Sequence, residues 1–260
     1  MFLPQLLEKA QSGERLVTLT CYDASMARLM ATCGIDILLV GDSLGMTIQG
    51  HDSTLPVSLA DMVYHTRAVA NGSAGRAFVL ADLNFGSYQA SPEQAFISAA
   101  QLMAAGANMV KLEGGALFAE TVQFLTRRGI PVCAHLGLLP QSVNTTGYRM
   151  QAKAEAAAQQ LLADALTLQE AGASLLVLEA IPAELAARVT QTLAIPTIGI
   201  GAGVHCRGQV LVINDLLGLT PTPPRFAKDF LQGRDSLEAA IRAYAEAVRR
   251  GQFPGPEQSR

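Results

Sequence analysis

Several features that would redirect the reading are missing from this chain. No apolar run approaches the stretch of about 20 residues that crosses a bilayer; runs such as Ile37–Val40 and 175–178 are the size of strands. Residues 1–9 carry no basic leader, sustained apolar core or small-residue cleavage site, so no secretory signal is expected and the cytoplasm is the expected location. Charge is sparse, at 16% of residues, and nearly balanced at a formal net −3. With no block of one sign, the electrostatic footprint of a nucleic-acid binder is absent. The 4 cysteines, Cys21, Cys33, Cys133 and Cys206, show no C-x-x-C spacing, which argues against a disulfide frame or zinc site and for structural roles in core or strands. Neither a linker nor a low-complexity tract interrupts the chain.

What is there is half apolar and 260 residues long. That is close to the roughly 250 residues of an eight-fold β/α barrel, with one large core. Strand-sized runs recur at 16–20, 36–40, 77–81, 108–112, 131–135, 174–179, 196–200 and 209–213. They are continuously apolar rather than alternating, as parallel strands buried on both faces require. Helical patterns lie between them. Ser91-Pro92-Glu93-Gln94 combines a capping serine, a proline at the first helical position and a glutamine at the capping-box position. Leu161, Leu162, Ala165 and Leu168 repeat at helical spacing, as do Leu185, Val189 and Leu193. Gly34, Gly106, Gly129 and Gly172 each precede a strand, where a left-handed helix stop is wanted. The expected fold is α/β: a single (β/α)8 TIM barrel over 1–250, with an N-terminal helix, extra helices near 226–231 and 236–249, and a mobile tail at 251–260. Strands seven and eight are close, so the helix joining them, around 205–208, must be very short.

In such a barrel the reactive face lies at the C-terminal ends of the strands. Polar residues converge there: Asp42 and Ser43 after strand two, Asp82 after strand three, Lys111 and Glu113 on strand four, His135 on strand five and Glu179 on strand six. So many carboxylates in one low-dielectric mouth are costly unless a cation or proton lies between them. All-oxygen ligands favour Mg²⁺ or Mn²⁺ over zinc. Each residue also has a plainer reading: Asp42 as a cap, His135 as a satisfied core histidine, Glu179 as half of an ion pair. Lys111 is harder to explain away, because alternation points it into the barrel, where an ammonium without an anion is expensive. Glu179 sits in an apolar setting suited to a general base. Gly199-Ile200-Gly201-Ala202-Gly203 lacks nucleotide-loop spacing and reads as a tight turn where the backbone approaches substrate or a neighbour. His51 and His65 read as structural or supporting residues.

Longer motifs carry a resemblance. Tyr22-Asp23, Val40-Gly41-Asp42-Ser43-Leu44-Gly45-Met46, Gln49-Gly50-His51-Asp52-Ser53-Thr54-Leu55-Pro56-Val57, Tyr64-His65-Thr66, Gly106-Ala107-Asn108-Met109-Val110-Lys111-Leu112-Glu113-Gly114-Gly115, His135-Leu136-Gly137-Leu138-Leu139-Pro140-Gln141-Ser142 and the glycine-rich turn together resemble the ketopantoate hydroxymethyltransferase family. The similarity runs from about Thr18 to Pro254. It implies a barrel of the phosphoenolpyruvate-utilising type, assembled as a homodecamer. The implied reaction moves a one-carbon unit from methylenetetrahydrofolate to 3-methyl-2-oxobutanoate, giving 2-dehydropantoate for pantothenate synthesis. By matching position, Asp42, Asp82 and Glu113 would hold Mg²⁺, Glu113 through water. Asp42, Ser43, Asp82, Lys111 and His135 would hold the keto acid, and Glu179 would accept the proton.

Three stretches depart from the family's pattern. Cys206-Arg207-Gly208-Gln209 stands where Cys-Asp-Gly-Gln is expected, Asp82-Leu83-Asn84-Phe85 where Asp-Leu-Pro-Phe is expected, and Thr146-Gly147-Tyr148 where Gly-Gly-Tyr is expected. None replaces an implied metal or catalytic residue. A related Mg²⁺-dependent 2-oxo acid lyase or mutase on the same barrel is the alternative enzyme, but its expected cysteine in a mobile loop has no counterpart here. A silent metabolite-binding barrel is the non-enzymatic alternative. It predicts loss of an acid among Asp42, Asp82, Glu113 and Glu179, and all are present.

Overall fold

A computed structural model describes residues 1–259. Strands β1 (Leu16–Thr20), β2 (Ile37–Val40), β3 (Phe78–Asp82), β4 (Met109–Glu113), β5 (Val132–Gly137), β6 (Leu175–Glu179), β7 (Thr197–Ile200) and β8 (Gly208–Leu211) pair in parallel in chain order. β8 returns to β1, with Leu16 opposite Gly208, so the sheet closes into the expected barrel. Almost every strand position is buried, because one face packs on helices and the other fills the barrel.

Alternation sorts the side chains. Val110 and Leu112 join the outer layer between sheet and helices, while Leu16, Ile37, Phe78, Leu80, Met109, Cys133, Leu175, Val177, Ile198 and Val210 fill the interior. The outer helices are α2 (Ala24–Thr32), α3 (Leu59–Ser73), α4 (Pro92–Ala104), α5 (Ala119–Thr126), α6 (Glu155–Glu170), α7 (Ala183–Thr192) and α8 (Leu237–Arg249), and α1 (Leu3–Gln11) precedes the barrel. Ser91 caps α4 by accepting from Gln94 N. The Gln94 side chain accepts from Ala90 N instead of closing the expected box. Gly34, Gly106, Gly129 and Gly172 all adopt positive φ, as the helix stops before β2, β4, β5 and β6 require.

α1 closes the lower end of the barrel. Its Leu6 and Ala10 pack in one cluster with Leu16, Ile37, Phe78 and Leu175, which lie at the starts of their strands. Buried Asp36 locks this end: it accepts from Lys9 Nζ at 2.7 Å and Val17 N at 2.9 Å, and Arg249 of α8 lies 3.7 Å away.

Two expectations need correction. No helix joins β7 to β8; residues 201–207 form bends and turns too short for one. Residues 226–231 are irregular rather than helical, because the Asp229 carboxylate accepts from Leu231 N and Gln232 N and holds a local turn. Within the segment expected to be a mobile tail, Phe253 is buried, with its ring 5.5 Å from Phe230 and 5.7 Å from Tyr244. The cysteines are all buried and unpaired.

Candidate active site

Along each inward-facing row the chemistry changes from apolar to ionic as the strand rises. Phe78 and Leu80 lead to Asp82, Met109 leads to Lys111 and Glu113, Cys133 leads to His135, and Leu175 and Val177 lead to Glu179. Register does the rest. Asp82 lies opposite Lys111, Glu113 opposite His135, and Gly137 opposite Glu179, so all five charged or titratable side chains meet at one rim. Lys111 Nζ stands 3.0 Å from Asp82 Oδ1 as an ion pair off the hydrogen-bond direction, leaving that oxygen buried without a hydrogen bond. His135 Nδ1 faces Lys111 Nζ at 3.4 Å and Glu113 Oε1 at 3.5 Å, while its Nε2 lies 3.2 Å from Glu179 Oε2.

The loops above β2 and β5 complete the site. Asp42 N donates to Asp82 Oδ2 at 3.1 Å, and Ser43 Oγ lies 2.9 Å from Tyr22 OH. Gln141, quoted in a motif but given no role from sequence, links the acids. Its Nε2 donates to Asp42 Oδ2 at 2.9 Å and Leu83 O at 2.8 Å, and its backbone N donates to Glu113 Oε2 at 3.0 Å. Tyr88 OH, 2.9 Å from Gln141 Oε1, holds that amide in place. The only sequence signal for Gln141 is its place after Pro140 in the motif that follows the fifth strand. His65, expected to be structural or supporting, has its Nδ1 2.6 Å from Tyr22 O. His51 instead lines the cavity. The three departures make other contacts: Asn84 Nδ2 donates to Val57 O at 2.8 Å, Thr146 Oγ1 donates to Ser142 O at 3.2 Å, and Arg207 is exposed.

Negative charge exceeds positive here. Burial, then the charges of Asp82 and Glu113, push the Asp42 carboxyl well above its ordinary value. Burial also raises Asp82, although Lys111 opposes it. Burial works against the Lys111 ammonium, but Asp82, Glu113 and Asp42 outweigh it and hold its pKa above the usual lysine range. Burial works against the Glu113 charge too, yet His135 and Lys111 keep that carboxyl below its ordinary value. Among the described residues no three His, Cys, Asp or Glu side chains converge as a ready-made metal cage. The donor set nevertheless fits a hard divalent cation: Asp82 Oδ1 is a buried oxygen without a hydrogen bond, and Asp42 is an acid whose ionisation is opposed by its neighbours. Both Glu113 oxygens already face other partners, so its part suits contact through water.

The site forms the floor of a cavity of about 1020 Å³. Its upper walls come from 46–54, 148–153 and 219–226, and include Tyr148, Arg149, Lys153, Leu219, Arg225 and Phe226. The glycine-rich turn approaches this wall: Gly201 has φ +60°, and a Cβ there would lie 2.7 Å from the Phe226 ring. The expected close approach is therefore to a neighbouring side chain.

Comparison with known proteins was consistent at two levels. Residues 1–256 match a family profile described as ketopantoate hydroxymethyltransferase. A 3-methyl-2-oxobutanoate hydroxymethyltransferase from Thiobacillus denitrificans is 62% identical over 248 residues, covering 95% of this chain and 94% of that protein. One of the same name from Nitrosospira multiformis is 58% identical, covering 94% of each. Among solved structures, a phosphonopyruvate hydrolase bound to oxalate and Mg²⁺ aligns with TM-score 0.63 at 16% identity, covering 84% of each chain. A phosphoenolpyruvate phosphomutase from Streptomyces platensis subsp. rosaceus aligns with TM-score 0.64 at 14% identity, covering 84% of this chain and 83% of that one. The last two share the barrel.

Proposed function

The chain belongs to the ketopantoate hydroxymethyltransferase family, and from that premise we propose that it transfers a hydroxymethyl group from methylenetetrahydrofolate to 3-methyl-2-oxobutanoate, giving 2-dehydropantoate for pantothenate synthesis. The observation that carries the reading is the convergence of Asp42, Asp82, Lys111, Glu113, His135 and Glu179 on the floor of one cavity. Such a set is suited to making a carbon next to a ketone acidic and removing its proton.

Asp42 and Asp82 would hold Mg²⁺, with Glu113 acting through water. Once bound, the ion would draw charge from the keto acid's oxygens and make enolisation cheaper by several kcal/mol. Ser43 would orient the substrate carboxylate, with Asp42 and Asp82 beside it. Lys111 Nζ, held 3.0 Å from Asp82, supplies fixed positive charge where the enolate oxygen develops. Glu179 Oε2 takes the C3 proton, and His135 Nε2, 3.2 Å away, steadies that carboxylate as it becomes an acid. The enolate carbon then forms a C–C bond to the methylene of the donor; both methylene C–N bonds break, water supplies the hydroxyl oxygen, and tetrahydrofolate leaves with the C3 proton and the remaining water proton on its nitrogens. A cytoplasmic location and a homodecameric assembly complete the reading, in keeping with the family.

The test is proton NMR of 3-methyl-2-oxobutanoate in heavy water, with and without Mg²⁺ and folate. Mg²⁺-dependent loss of the C3 proton signal without folate, and new 2-dehydropantoate signals with the methylene donor, are expected. Glu179→Gln should slow C3 exchange by about 10²-fold or more, the usual contribution of a positioned base. Full exchange in that variant would remove Glu179 as the base, and exchange without any one-carbon transfer would favour a lyase or mutase.

A further inference from the structure

The cavity is far larger than a small branched keto acid needs and reaches the upper end of the roughly 300–1,000 Å³ range typical of sites for drug-sized ligands. Its two ends differ in charge. The floor carries Asp42, Asp82, Glu113 and Glu179, whereas the upper wall carries Arg149, Lys153 and Arg225. Among the described residues these three cations make no ion pair, although the chain as a whole is acidic. Besides the floor acids, the lining carries two carboxylates, Asp52 on the 46–54 segment and Asp215, which accepts from Thr220 Oγ1 and is buried. The same wall leaves large apolar surfaces open to water: Tyr148 is 55% exposed, Leu219 63% and Met46 42%. Half-buried Phe226 adds a ring beside Gly201.

We propose that this upper wall is the seat of the one-carbon donor, with Tyr148, Leu219 and Phe226 against its flat ring system and Arg149, Lys153 and Arg225 holding the carboxylates of its glutamyl tail. The assignment rests on the function proposed above. Charge places the donor in one orientation only. The anionic floor repels a tail of carboxylates and the cationic wall attracts it, so the carrier's ring end points down toward Glu179 and Lys111 while the tail points out. Apolar ring faces, meanwhile, cover side chains that would otherwise stay wet. Successive glutamates on the tail would meet successive cations, so affinity should climb with tail length and fall with salt.

The experiment compares the wild type with Arg149→Ala, Lys153→Ala, Arg225→Ala and the triple variant. Each is assayed with methylenetetrahydrofolate bearing one or three glutamates, and binding of tetrahydrofolate triglutamate is measured by fluorescence at low and high salt. In the triple variant the KM for the triglutamate donor should rise about tenfold, as expected for several lost surface ion pairs. The KM for the keto acid should move far less. The wild type's preference for three glutamates over one, and the salt dependence of tetrahydrofolate triglutamate binding, should shrink with it. Arg149→Lys should restore much of what Arg149→Ala loses. Unchanged triglutamate binding in the triple variant, or a keto acid KM that rises in step with the donor's, would overturn the assignment. A wild type that binds tetrahydrofolate triglutamate yet transfers no carbon would count against the functional reading and leave this wall as a folate site.

Discussion

Among the described residues Gln141 Nε2 is the only side-chain hydrogen-bond donor to Asp42, while its backbone N reaches Glu113. Gln141→Leu keeps the second contact and removes the first. Tyr88 OH, which also lies 3.1 Å from Glu113 O, keeps a partner. The expected result is metal affinity weaker by about 10–100-fold, the usual cost of losing a group that orients a ligand. Titration with Mn²⁺ followed by calorimetry reads this directly, and unchanged affinity in a folded variant would show that Asp42 needs no such support. Lys111 was legible from sequence because a lysine between Val110 and Leu112 on a barrel strand must face inward and find an anion. Gln141 was not, since a polar residue in a loop carries no period that says where its amide points. Arg149, Lys153 and Arg225 were illegible for the same reason: their shared cavity exists only once two distant loops meet.

At the scale of the elements, strands were read well and connections poorly. An apolar run of strand length bounded by glycine or proline has few other solutions in a chain of this size. The segment 226–231 has apolar residues at helical spacing, but the Asp229 carboxylate competes for the backbone donors a helix would use. Asp36 shows how the elements are bound together, since it joins α1, β1 and α8 at the lower end of the barrel. Asp36→Ala leaves Val17 N without its acceptor and Lys9 without its buried partner. A loss of about 3 kcal/mol is expected, the lower end for breaking a buried pair, measured as a shift in urea midpoint at constant slope. A shift worth less than about 1 kcal/mol would place this carboxylate with ordinary surface ion pairs.

For the whole molecule, the period of strand and helix announces the barrel, and the rule that reactive groups gather at the upper strand ends picks out residues that line one cavity floor. What periodicity does not encode is the plug. Interior side chains fill the barrel beneath the site, with Leu6 and Ala10 packed below them, so the chamber has no way in from the lower end, and two reactants of unequal size must share the upper side. The small one goes to the bottom and the bulky one stands above it as a stopper. Turnover should therefore follow a compulsory sequence, keto acid in first and ketopantoate out last. Initial-rate patterns with a dead-end folate analogue should show it as uncompetitive against the keto acid. Competitive inhibition there would mean that the carrier can enter an empty chamber and block the way down.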